Sequence, residues 1–166
     1  MVFSFQTLNA DFAEVWLSLR LEGVCGFPLG FLITEEEALR TSIDRARNIL
    51  RTGTMRGVFD GEKLIGFCGY LPETLEQTRH RAELGPFYVS PLYHGSGAAD
   101  ALISGVIGEA LLSKVEQLEL FVDTENYRAI GFYERHGFEK IATHLDGVRI
   151  DGKSRNDYFF RLRLAQ

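Results

Sequence analysis

The sequence predicts an α/β fold: a single twisted mixed sheet, mostly antiparallel, with helices on both faces. Three observations lead there. Periodicity gives the order strand, two helices, a meander of three strands, helix, strand, helix and two closing strands, which suits layers of helix on sheet. The apolar pattern changes repeatedly between a helical face and a two-residue alternation. Finally, 166 residues with 45% apolar and 25% charged content match one domain, 1–166, with one core, because a chain of this size buries about 70% of its unfolded surface. No repeat, linker or low-complexity stretch interrupts it.

The elements follow in order. "VFSF" reads as a short strand, and in "NADFAEVWLSLRLEG" Phe12, Val15, Trp16 and Leu19 share one helical face, with Asn9 as cap and Gly23 as stop. "VCGFPLGFL" is apolar but broken by glycine and proline, so it reads as a packed loop. Thr34 and Glu37 form a capping box, and Leu39, Ile43, Ala46 and Leu50 extend the helix it starts. Two apolar runs around Asp60-Gly61 make a hairpin. "HRAELGPFYVSP" is a further strand, which Gly85 and Pro86 should bulge, since they remove a side chain and a ladder donor. Beyond it lies a helix with Leu102, Val106 and Ala110, then the strand "QLELFV", then the helix "NYRAIGFYERHG" from Asn126 to Gly137. "FEKIATHL" is a strand, Asp146-Gly147 and Asp151-Gly152 are turns, and "DYFFRLRL" closes the sheet with Tyr158, Phe160, Leu162 and Leu164 on one face.

Composition removes several classes of function. A net charge of −5 lacks the basic footprint that nucleic acid requires and suits a cationic or neutral partner. No apolar run approaches the roughly 18 residues that cross a bilayer, and the N-terminus has no cleavable leader pattern, so no membrane partner is expected and the chain is assigned to the cytoplasm. Cys25 and Cys68 are unpaired in spacing, and the four histidines lack metal-site spacing, so no metal is expected.

The stretch "YHGSGAADAL" joins the strand ending near Val89 to the following helix. A helix N-terminus presents unpaired amide hydrogens and about half a positive charge, so a phosphate can sit there without a cationic side chain. Gly95, Ser96, Gly97, Ala98 and Ala99 are all small enough to let it approach. The Rossmann fingerprint fails because Asp100 stands where a glycine is needed, and the Gly-Lys-Ser/Thr of a P-loop is missing. By itself the loop serves equally as a phosphate socket or as a plain strand-to-helix joint.

Two motifs decide between these. "YVSPLYHGSGAADAL" resembles the acetyl-CoA signature of the GNAT N-acetyltransferases, with His94, Gly97 and Ala99 at the signature positions. A second family segment, Asn-x-x-Ala-x-x-Phe-Tyr-x-x-x-Gly-Phe, is present as Asn126, Ala129, Phe132, Tyr133, Gly137 and Phe138. The resemblance covers nearly the whole chain and implies the family's sheet, with a splayed and bulged fourth strand.

The same resemblance implies acetyl-CoA as cofactor. Its pyrophosphate would lie on the amides of Gly95–Ala99, its pantetheine along the strand edge at Tyr88 and Val89, and Asn126 and Phe132 would complete the cofactor site. His94 replaces the family's Arg or Gln, which either weakens phosphate binding or leaves it to the backbone. Tyr133 is implied as the acid for the departing thiolate; a core tyrosine is the competing reading. Glu83, eleven residues ahead of His94, resembles the glutamate base of the histone-acetylating branch, and its apolar neighbours would raise its pKa; a solvated or salt-bridged glutamate, with Arg81 as partner, is the competing reading, and the resemblance equally allows a water relay as the base. The acceptor pocket is implied at Phe27, Phe31 and Glu35, facing Asn156, Asp157 and Tyr158, although Glu35 also fits a first-turn helix charge and Asp157 a strand-edge charge. The implied reaction is acetyl transfer to a primary amine, small or on a peptide or protein, by direct attack in a ternary complex. A non-catalytic acyl-CoA sensor or interaction domain is the alternative. The paired glycines and exposed sheet edge leave room for a homodimer.

Overall fold

The computed structural model describes residues 2–165. Among them, β1 (Phe3–Thr7), β2 (Met55–Asp60), β3 (Lys63–Pro72), β4 (Arg81–Val89), β5 (Gln117–Asp123), β6 (Glu139–Ile150) and β7 (Lys153–Arg163) form one sheet in the order β1-β2-β3-β4-β5-β7-β6. The pairs β1–β2, β2–β3, β5–β7 and β7–β6 are antiparallel, and β4 runs parallel to β5 with Arg81 opposite Gln117 and Glu83 opposite Glu119. The helices are α1 (Ala13–Gly26), α2 (Glu35–Leu39), α3 (Ile43–Arg51), α4 (Ala98–Leu112) and α5 (Tyr127–Arg135). The mixed sheet with helices is the fold expected from the sequence. No helix among the described residues is long and apolar enough to cross a membrane.

The chain divides into two compact units. The first holds the described residues up to Leu71 together with Gly85–Glu109. Its core gathers Leu8, Trp16, Leu19, Leu50, Phe59, Leu64, Phe67 and Tyr88 from α1, α3 and the strands. Trp16 meets Phe67 edge-on at 6.0 Å, and the guanidinium of Arg20 lies 4.7 Å over the indole. Gly105 of α4 is pressed so closely on the Phe5 ring that a side chain there would collide with it. Gly69 and Gly85 bring two strands together for the same reason, because a Cβ on Gly69 would stand 3.0 Å from Gly85 Cα. Gly85 thus permits a close approach between backbones, a role beyond the bulge expected of it.

Local structure departs from expectation where one side-chain hydrogen bond competes with another. Asn9 accepts from the Asp11 amide and caps a short 3-10 turn, Ala10–Phe12, and α1 begins behind it and passes through Gly23 to Gly26. Val15 turns outward. The capping box of Thr34 and Glu37 forms as expected, with Glu37 N donating to Thr34 Oγ1 at 3.1 Å. The helix it starts ends at Leu39, which is exposed, and Ser42 caps a separate α3 by accepting from Arg45 N.

The second unit holds Pro72–Leu84 and the chain from Ala110 onward. Leu118, Leu120, Val122, Phe138 and Phe160 are buried in it. Asp146-Gly147, expected as a turn, lies within β6 as a register break between His144 and Val148, with Asp146 at φ +51°. The reversal comes only at Asp151-Gly152, both left-handed. β7 therefore starts at Lys153, four residues before the expected strand.

Candidate active site

In the first unit, β4 leads through a 3-10 turn, Pro91–Tyr93, to the glycine loop and α4. Gly95 (φ +77°) and Gly97 (φ +92°) adopt left-handed backbone, and no atom lies within 4 Å of where a Cβ would project from either. The loop is thus shaped by conformations that L side chains resist, with open space above it. Ser96 Oγ donates to Tyr93 O at 2.6 Å and accepts from Ala98 N at 3.3 Å, which holds the turn at the start of the helix. The first-turn amides and dipole of this 15-residue helix suit an anion. The residues present therefore fit a diphosphate.

His94 turns back over β4. Its Nε2 lies 3.0 Å from the Val89 carbonyl oxygen and its ring 5.9 Å from Phe27, an arrangement that requires the Nε2–H tautomer for the hydrogen bond. Phe27 also tilts against Tyr88 at 6.0 Å, so Phe27, Tyr88, Val89 and His94 form one cluster. Phe31 lies deeper: it is buried against Phe67 and Tyr88, seated by the missing side chain of Gly23, whose Cβ would stand 2.5 Å from the Phe31 ring. Glu35, in the first turn of α2, stands beside Cys25, whose thiol burial and the Glu35 carboxylate push upward.

One carboxylate in this unit was not foreseen. The hydroxyls of Tyr88 and Ser90 both donate to Glu22 Oε1, at 2.7 and 2.8 Å. Burial, and then Glu22, hold the Tyr88 phenol well above its ordinary range. No local spacing links residues 66 and 68 positions apart, so only the fold reveals this arrangement.

In the second unit, Glu83 lines a cavity of about 360 Å³ with Glu73, Arg81, Glu119, Phe121 and Phe159. Arg81 pairs with Glu119 at 2.8 Å, so the salt bridge foreseen for Arg81 goes to β5. Burial, Glu119 and Glu73 raise the Glu83 pKa. Phe121 and Phe159 tilt together at 5.2 Å and give the cavity an apolar wall. Glu119 and Phe121 alternate with the buried Leu118 and Leu120 in "QLELFV", which places them on the other face of β5; in the sequence this alternation reads as a strand and does not reach the cavity.

α5 carries the other candidates of this unit. Asn126 Oδ1 caps the helix by accepting from Ala129 N at 3.3 Å. Tyr133 is 7% exposed, in edge contact with Phe132 and Phe138 at 5.4 Å each. Asp157, also 7% exposed, stands with its Oδ2 3.7 Å from His144 Nδ1, and burial raises its pKa against the opposing pull of His144. Asp123 nearby is held below the ordinary carboxylate range despite its burial, because Arg155 donates to it twice, at 2.6 and 2.8 Å.

A glycine-lined helix start, and a carboxylate cavity on a mixed sheet in which β4 runs parallel to β5, define a class: α/β proteins with a helix N-terminus open to an anion. Residues 22–138 match the model of the acetyltransferase (GNAT) family, and the chain belongs to that family. An uncharacterized N-acetyltransferase of Mycobacterium tuberculosis is 37% identical over 76 residues, 46% of this chain and 47% of that protein. The matching segment thus spans about half the length of that relative. The fold is also that of an N-acetyltransferase from Staphylococcus aureus, with TM-score 0.85 at 15% identity over 99% of this chain and all of that one. A Salmonella typhimurium structure described as an acetyltransferase with its cofactor acetyl-CoA aligns with TM-score 0.83 at 14% identity, over 100% of this chain and 96% of the other.

Proposed function

We propose that this protein is an acetyl-CoA-dependent N-acetyltransferase that acetylates a cationic primary amine by direct attack in a ternary complex. The observation that carries the reading is the pair of left-handed glycines, Gly95 and Gly97, with open space above them at the start of α4. Gly95–Ala99 bind the pyrophosphate through their amides, the backbone at Tyr88 and Val89 guides the pantetheine arm, and Asn126 and Phe132 complete the cofactor site. Bound acetyl-CoA supplies a thioester carbonyl as the electrophile.

The protein's own groups then manage protons. An alkyl ammonium titrates near ~10.4, so it must lose a proton before its nitrogen can attack. Glu83, whose preference for the proton is raised by burial and two carboxylate neighbours, accepts it. The nitrogen forms a bond to the acyl carbon and sheds its second proton, the carbon–sulfur bond breaks, and the Tyr133 hydroxyl protonates the thiolate. The carboxylates of Glu73 and Glu119, of which only Glu119 is paired with Arg81, favour a cationic acceptor, and Phe121 and Phe159 pack its methylenes. Phe27, Glu35 and Asp157 contribute to acceptor choice; Phe31 does so by holding Phe27's partner Tyr88 in place. Cytoplasmic acetyl-CoA is the donor pool, and free Cys25 and Cys68 agree with a reducing compartment.

Release of coenzyme A thiol against a panel of amines tests this. Wild type is expected to turn over at least one cationic amine, and Tyr133→Phe to keep cofactor affinity while kcat drops about 100-fold. Unchanged turnover in Tyr133→Phe removes that residue from the chemistry. Binding without turnover on any amine favours the acyl-CoA sensor.

A further inference from the structure

Resting on the acetyl-transfer reading, we propose that His144, oriented by Asp157, is a second proton acceptor of the reaction, at the Phe121 end of the carboxylate cavity. The ammonium nitrogen sheds two protons on its way to an amide, and a single carboxylate, once protonated, cannot take both.

The arrangement has the parts of an oriented imidazole base. His144 on the edge strand β6 is opposite Asp157 on β7, and its Nδ1 faces Asp157 Oδ2 at 3.7 Å, within ion-pair reach though longer than a hydrogen bond. Gly147 backs this pair at close quarters: a Cβ there would stand 2.6 Å from Nδ1 and 2.8 Å from Oδ2. Nδ1 is therefore enclosed by Asp157 and Gly147, while the side chain is 56% exposed, which leaves Nε2 as the outward nitrogen. The ring lies 5.7 Å from Phe121, which with Phe159 and Glu83 lines the cavity. Asp157 is 7% exposed, so an imidazolium formed beside it compensates a charge that burial disfavours. The other charges around His144 are already matched in part: Asp123 and Glu125 hold Arg155, Asp146 holds Arg149, and beyond Phe121 Arg81 holds Glu119, leaving Glu83 and Glu73.

In the balanced step, Glu83 takes the ammonium proton and the neutral nitrogen attacks the acyl carbon. His144 Nε2 takes the second proton from that nitrogen, the carbon–sulfur bond breaks, and Tyr133 gives its proton to the thiolate. The imidazolium proton restores the Tyr133 hydroxyl through solvent, and Glu83 releases one proton to water. The net products are amide, thiol and one proton.

The pH profile of kcat tests the assignment on the full chain with the best amine of the panel. His144→Gln is expected to lower kcat about 100-fold at neutral pH and to leave only the acid dependence that Glu83 imposes, with activity restored in part by added imidazole. Asp157→Asn removes the acceptor that orients the ring, so kcat should fall although His144 still supplies a base. Gly147→Ala, which needs no left-handed backbone, should displace the ring and reduce kcat with the acid dependence of the wild type retained. Turnover within twofold of wild type in His144→Gln overturns the proposal, as does a loss equal at every pH and unmoved by imidazole. If Glu83→Gln and Tyr133→Phe also leave turnover intact, the acetyl-transfer reading of the site fails; if they lose it while His144→Gln does not, only the role of His144 fails.

Discussion

Glu83 stores a conflict between folding and chemistry. Its pKa is raised in the folded chain by burial and by Glu119 and Glu73, so the folded state prefers the protonated acid. A carboxylate raised on folding contributes stability below its unfolded pKa and loses it as pH rises through the folded one. Glu83→Gln should therefore melt slightly higher than wild type at pH 7, by no more than about 2 °C given the exposure of the site, and this advantage should vanish toward pH 4. Its turnover should fall. Melting curves at both pH values check the sign, and a lower melting point at pH 7 contradicts the crowded-carboxylate account. The raised pKa of Glu83 was readable from its apolar neighbours in "HRAELGPF". Glu22 was not, because its partners Tyr88 and Ser90 are brought to it only by the packing of α1 on β4.

At the level of elements, α4 is tied to β2 by a charge pair and to β1 by the close approach of Gly105 to Phe5. Arg56, 7% exposed, is gripped by both oxygens of Glu109 at 2.8 Å and donates to Gly53 O at 2.6 Å. Its guanidinium also lies 5.2 Å over the Tyr70 ring. Removing one partner leaves the other charge buried, so Glu109→Ala should destabilise by about 3 kcal/mol, seen as a fall in Tm of roughly 6–12 °C. A loss below about 1 kcal/mol in urea unfolding would show that the pair is effectively solvated. The boundaries that escaped the sequence reading have local causes. Ser42 competes with helix continuation through its hydroxyl, and the stretch around Asp146, with its positive φ, absorbs two extra residues of β6 as an irregularity where a turn was expected.

For the molecule as a whole, two motifs more than thirty residues apart were enough to identify the fold class, since "HGSGAAD" and "NYRAIGFYERHGF" each sit at a strand-to-helix step of one architecture. The cavity walls were harder to read. Glu73, Glu119, Phe121 and Phe159 come from three separate stretches of chain, and their convergence depends on the parallel register of β4 with β5 and the antiparallel register of β5 with β7. The central claim is that main-chain amides at the start of α4 hold a diphosphate. Titration calorimetry with coenzyme A, on wild type and on Gly97→Val, tests it most directly. Wild type should saturate with a Kd on the order of micromolar, and the variant, forced into a backbone conformation valine resists, should bind at least about tenfold more weakly. No heat and no saturation with wild type at millimolar coenzyme A, or equal affinity in the two proteins, would contradict the account.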